Sequence, residues 1–174
     1  LNNLSELHNF LGGVLDAVPS PIFVVDEDVR VHWANRAGSR LLSLEPERLL
    51  RRRAGDLLHC LHSLETPEGC GTSAYCADCP VRAAVTQAFQ GRQAVRRQAR
   101  MEMVQQGHVT DIHLLVTTAP FAFQDSQFVL LTLEDVSELM QLRSCLPICA
   151  YCKKIRTDKA YWQSLEVYFK THLD

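Results

Sequence analysis

The sequence predicts an α+β domain, an antiparallel sheet with helices on one face, and three observations predict it. Two short apolar runs, Ile22 to Val25 and Val29 to Trp33, flank the acidic "DED" at 26–28. An Ala-rich stretch from Asp78 to Gln90 carries Pro80 near its start and Gly91 just past its end. Three segments of alternating character then follow, divided by "QQG" and "FQDSQ".

Taken in order, "LNNLSELHNFLGGVLDAVPS" opens with Leu4, Leu7, Leu11, Val14 and Val18 at spacings of three and four, the seam of a coiled coil. That seam spans about two heptads and contains Gly12 and Gly13, so a linker helix or a helix packed on its own domain fits as well as a free dimer. Pro19 and Pro21 stop the helix. The two runs beyond them read as strands joined by a tight turn at 26–28. "NRAGSRLLSL" reads as a short helix with Asn35 as its cap and Leu41 and Leu42 facing inward. A cysteine-rich loop, 59–80, leads into the Pro80 helix. "QAVRRQARMEMV", "HVTDIHLLVTTAPF" and "FVLLTLEDV" finish the domain as a meander, with Ile112, Leu114 and Val116 on one face.

The bulk properties narrow the function. A 47% hydrophobic content supplies a core and excludes disorder. A net charge of −2 gives no global attraction for nucleic acid, and the arginines at 48, 51–53, 92, 96, 97 and 100 read as solvated faces because no aromatics interleave with them. No apolar run reaches membrane-spanning length and no signal peptide opens the sequence, so a cytoplasmic location is expected. There is no Gly-rich phosphate loop, no serine elbow and no HExxH helix, so the expectation is a protein that is not an enzyme.

Seven cysteines in two clusters, without a secretory signal, favour metal or thiol chemistry over a disulfide framework. Cys60, Cys70, Cys76 and Cys79 are spaced C-x9-C-x5-C-x2-C. The C-x2-C pair lets two thiolates from one turn meet one metal, and the earlier cysteines can close the shell. Gly69 and Gly71 flank Cys70, where the backbone can approach a ligand closely, and Cys79 opens a helix whose dipole favours a thiolate. Zinc usually takes two short-spaced knuckles and only one exists in this loop, whereas iron–sulfur clusters accept irregular spacing; the order of preference is an iron–sulfur cluster, then Zn2+, then thiol or disulfide switching without metal. His59 and His62 flank Cys60 and read as second-layer or surface groups, with replacement of one thiolate as the alternative. His32 and His113 read as satisfied sheet histidines rather than haem ligands, and Trp33, Phe23 and Phe128 as core rather than flavin contacts.

Two stretches, "FLGGVLDAVPSPIFVVDEDVRVHWANRAGSRLL" and "FVLLTLEDVSE" with its exit through Asp135, Val136 and Ser137, resemble a PAS domain over roughly residues 8 to 140. The resemblance implies a five-stranded antiparallel sheet, a ligand pocket between its concave face and the neighbouring helices, and a bacterial sensory module that feeds a kinase, cyclase, phosphatase or transcription factor. It also implies that the cysteine loop lies where such domains hold cofactors, and that a "GCG…C..C" loop belongs to redox- or gas-responsive sensors. "LPICAYCKKIRTDKAYWQSLEVYFKTH", residues 146–172, resembles a segment appended to such proteins, in which a second C-x2-C follows about twenty-odd residues later and completes a four-cysteine site. The sequence ends at Asp174, so a site on Cys149 and Cys152 is incomplete unless His172, Cys145 or another molecule contributes. Tyr161, Leu165 and Tyr168, with Trp162 and Phe169, read as an apolar helical stripe.

The expected organisation is a linker helix at 1–18, a sensor domain at 19–138, and a linker with the CxxC segment at 139–174. The expected function is a sensory input domain reading redox state or a gas through a four-cysteine iron–sulfur cluster. The alternative is a zinc-stapled dimerisation or docking module. A homodimer through the flanking helices is expected, with the output domain outside this sequence.

Overall fold

The computed structural model describes residues 4–105, 107–145, 148–149, 151–156, 162–164 and 166–167. Five strands form one antiparallel sheet in the order β2-β1-β5-β4-β3: β1 (Ile22–Val25), β2 (Val31–Ala34), β3 (Ala94–Gln105), β4 (His108–Phe123) and β5 (Ser126–Asp135). This is the sheet the resemblance implies. Strand alternation decides its faces: Ile112, Leu114 and Val116 on β4 and Val129, Leu131 and Leu133 on β5 are buried. β4 pairs with β3 from Gln105↔His108 to Ala94↔Thr118, and with β5 from Phe123↔Ser126 to Leu114↔Asp135. β5 also pairs with β1, so the stretch between β2 and β3 must cross one face of the sheet.

That crossing carries α2 (Arg36–Leu42), α3 (Pro46–Leu49), α4 (Ala54–Leu57), two 3-10 turns (Leu61–Ser63 and Ala74–Asp78) and α5 (Pro80–Phe89). α5 buries Val81, Ala84, Val85 and Ala88, one stripe at helical spacing, and its small residues let it lie close to β3, β4 and β5. Pro80 occupies its first turn, and Gly91 ends it at φ 79°, where a residue with a Cβ is disfavoured. α1 (Leu4–Ala17) precedes the sheet and leaves Phe10, Leu11 and Val14 exposed.

Several expectations need correction. β2 begins at Val31, because Val29 sits in the turn at φ 60°, a rare backbone for a β-branched residue. Only Leu42 of the Leu41–Leu42 pair faces inward; Leu41 is exposed, since neighbours on a helix lie about 100° apart. Of the three strand aromatics only Phe23 is in the core, while Trp33 and Phe128 are half-buried. The short helices α3 and α4 have no counterpart in the sequence reading.

The chain divides into two compact units, Leu1–Asp135 and Val136–Asp174. The second contains α6 (Ser137–Cys145) and the antiparallel pair β6 (Ile155–Arg156) and β7 (Trp162–Gln163). Trp162 therefore lies in a strand, held by pairing with Arg156, and not on a helical stripe. Tyr161, Leu165, Tyr168, Phe169 and His172, together with the side chain of Cys145, lie outside the described residues. No helix among the described residues is long and apolar enough to cross a membrane.

Candidate metal centre

The loop between α4 and α5 folds back on the sheet. Cys60 bridges to Met103 of β3, and the Val104 amide donates to the His59 carbonyl at 2.8 Å. Cys60 then opens the first 3-10 turn, Cys76 lies within the second, and Cys79 is the N-cap of α5 without using its side chain as a cap. Cys70 is held from the other side, its amide donating to Asp56 Oδ1 at 2.7 Å.

These placements bring Cys60, Cys70, Cys76 and Cys79 to the wall of one cavity of about 380 Å³, which His62, Tyr75 and Arg82 also line. All four thiols are free. Backbone donors are aimed at the sulfurs: the Gly71 amide donates to Cys76 Sγ at 3.2 Å. Burial pushes the Cys60 thiol up, against the pull of the His62 and Ser63 amides. Burial likewise pushes Cys70 up, although Arg82 and the Gly55 amide favour its thiolate. Burial makes the Cys60 and Cys70 thiolates costly by themselves, a cost that a metal cation would offset. Among the described residues no three His, Cys, Asp or Glu side chains stand close enough to grip a single ion as they are placed.

His62 and His59 part company. His62 faces the cavity, stacked on Tyr75 with centroids 4.6 Å apart, and its Nδ1 lies 2.9 Å from Glu65 Oε1. Glu65 is in turn bonded by the Ser73 hydroxyl, which together with His62 holds its carboxyl below the usual range. His59 is exposed, at φ 53°, and does not line the cavity.

Three residues the sequence reading passed over complete the site. Gly55 of α4 lies against Cys70: a Cβ there would stand 2.5 Å from Cys70 Sγ and 3.6 Å from Cys60 Cβ. Arg82 reaches Cys70 Sγ at 3.8 Å and Asp28 Oδ1 at 3.0 Å. Asp28 also accepts from Arg53 at 2.7 Å, so Arg53 is built into the hairpin and is not part of a solvated face. Burial raises the Asp28 carboxyl, but Arg53 and Arg82 outweigh it and hold the group below its ordinary value. His32 is satisfied, as expected, by Asp26 Oδ2 at 3.0 Å.

Cys149 and Cys152 form a separate knuckle in the second unit. The Cys149 amide donates to the Lys154 carbonyl at 2.8 Å, the Lys153 amide returns to the Cys149 carbonyl at 2.9 Å, and Lys153 adopts φ 57°. The Cys152 amide points at Cys149 Sγ at 3.5 Å, and this donor, with that of Tyr151, draws the Cys149 thiol below its ordinary value.

A family model described as the PAS fold matches residues 15–141. Among solved structures the chain is similar to the PAS domain of nitrogen regulation protein NR(II) from Vibrio parahaemolyticus, at 17% identity and TM-score 0.50, over 72% of this chain and 96% of that one. It is similar also to an RNA-binding light-oxygen-voltage receptor, at 18% identity and TM-score 0.50, over 83% of this chain and 39% of that one. No curated protein matches it.

Proposed function

Because this chain belongs to the PAS-fold family, whose domains typically serve signal-transduction sensors, we propose that it is a non-catalytic sensory input domain that reads redox state or a gas through an inorganic centre on Cys60, Cys70, Cys76 and Cys79. The observation that carries the reading is the shared cavity: four thiols, separated in sequence, line one volume between the loop and the sheet. A lone tetrahedral ion needs sulfurs about 3.8 Å apart, given metal–sulfur bonds near 2.3 Å. A polynuclear iron–sulfur centre reaches more widely spaced thiols from inside the cavity and adds what zinc lacks, a change of charge on oxidation. The residues fit such a group: four soft donors, amide N–H groups aimed at sulfur, and an arginine beside Cys70.

In this reading Cys60, Cys70, Cys76 and Cys79 bind the centre, Gly71 orients Cys76, and the His62–Tyr75 stack limits access of water. The exposed Phe10, Leu11 and Val14 of α1 support a homodimer that passes the signal to an output domain in a reducing cytoplasm. The Cys149–Cys152 knuckle is half of a second thiolate site.

Anaerobic purification tests this. The expected protein is brown, contains iron and acid-labile sulfide, and loses its visible absorption on reduction with dithionite. A colourless protein that releases one zinc per chain to a thiol reagent overturns the sensing role in favour of a stapled docking module.

A further inference from the structure

A groove of about 790 Å³, walled by α1, β2, α2 and α3, shares no residue with the cysteine cavity. Its floor is made by the half-buried Trp33, Ala34 and Leu44, and the exposed Leu50 continues it beyond the end of α3. Its rim is charged. Arg36 and Arg40, one turn apart on α2, and Arg48 of α3 are all exposed. None of these three guanidinium groups has a hydrogen bond or an ion pair among the described residues.

The anions at the groove do not answer them. Asp16 Oδ1 accepts from the Arg36 amide at 2.8 Å. Glu45 is the N-cap of α3 and makes no capping bond. His32, also on the rim, faces Asp26 Oδ2 at 3.0 Å, while Asp26 Oδ1 accepts from the Asp28 and Arg30 amides. Among the lining residues, three unpaired cations therefore stand against one carboxylate bound to backbone and one free carboxylate, and that balance favours an anionic occupant.

Two further features have no explanation within the domain. Ser39 lines the groove, and its Oγ is buried with no hydrogen-bond partner, although buried hydroxyls normally have one. Gly12 and Gly13 interrupt α1, yet a Cβ added to either meets nothing within 4 Å, so packing inside the chain does not call for them, and glycine is among the poorest helix formers. Gly12 lines the groove, and its missing side chain leaves the α1 wall open to close approach.

We propose that this groove docks an acidic peptide segment of a partner protein, with an apolar side chain seated on Trp33 and Leu44 and carboxylates on Arg36, Arg40 and Arg48. An apolar floor inside a polar rim is the anatomy of a protein interface, and the unpaired arginines select the charge of the partner. The docking stands apart from the cysteine centre. It also leaves the exposed seam of α1 free, because Gly12 and Asp16 lie about 200° round the helix from Phe10 and Val14. α1 is nonetheless one wall of the groove, so the occupant braces the helix that leads out of the domain.

Selection of a random 12-residue peptide library on the whole chain tests this. The enriched peptides should carry more Asp and Glu than Lys and Arg, together with an aromatic or aliphatic anchor. Arg40→Glu with Arg48→Glu should weaken their binding at least about tenfold. Arg92→Glu with Arg97→Glu, the same change of charge near the start of β3, should leave binding within about twofold, because a distant exposed charge is screened. Gly12→Leu adds a side chain on the α1 wall and should weaken binding about tenfold while keeping the helix, which preserves the test if charge reversal unfolds the domain. Enrichment of neutral or basic peptides, of none at all, or of peptides that bind the groove variants as well as wild type overturns the proposal. A dimer that Arg40→Glu with Arg48→Glu converts to monomer also overturns it, in favour of a second copy of this chain.

Discussion

Asn35→Ala should destabilise the domain by about 3 kcal/mol, lowering its melting temperature by roughly 10 °C. Asn35 is fully buried at the start of α2, and every polar atom of its side chain is used. Oδ1 accepts from the Ile22 amide at 3.0 Å and from the Gly38 amide at 2.8 Å, capping α2 and fixing the start of β1 together. Nδ2 donates to the carbonyls of Leu15, Val18 and Ser20, closing the exit of α1. Loss of a helix cap alone costs about 1 kcal/mol. The remainder comes from backbone groups left unpaired where water enters poorly, each costing about 1–3 kcal/mol. Calorimetry of the two proteins under the same conditions checks it, and a loss below about 1 kcal/mol would show that the carbonyls find other donors.

Gly55→Ala should have the opposite profile, with little change in stability and at least a tenfold loss of bound metal. On helix propensity the change is favourable by up to about 1 kcal/mol, and the Gly55 backbone has no left-handed φ to forbid it. The added Cβ, however, falls 2.5 Å from Cys70 Sγ, closer than real Cβ contacts come, and 3.0 Å from Cys70 Cβ, a crowded distance. Overpacking of this kind costs about 1–3 kcal/mol, which the propensity gain largely offsets. The cheapest relief is rotation of the Cys70 side chain, and that takes one thiol out of the cavity. Metal content of the folded variant is the readout, and wild-type content would mean that Cys70 is not a ligand.

What the sequence revealed follows from the range of the interactions. The Ile22–Val25 strand, the α5 helix between Pro80 and Gly91, and the faces of β4 and β5 are set by patterns of two to four residues, and they stand where the patterns place them. The cysteines were visible as candidates because their chemistry is rare, and the fold brings all four to one cavity. Gly55, Arg82 and Asp28 gave no such sign. Arg82 and Asp28 are 54 residues apart and meet only because α5 crosses the sheet above the β1–β2 turn. Gly55 sits in a one-turn helix whose Ala-Gly-Asp-Leu sequence shows nothing of the sulfur packed against it. Leu41 was misplaced for a related reason: seven helical residues define a face too loosely to say which of two adjacent leucines turns inward.

X-ray absorption at the metal edge of the anaerobically purified protein reaches the central question most directly. The account predicts an iron edge with a shell of sulfur neighbours at about 2.3 Å and a second shell of iron, both lost in Cys70→Ser. A shell of oxygen or nitrogen neighbours, or a sulfur shell unchanged in that variant, would contradict it.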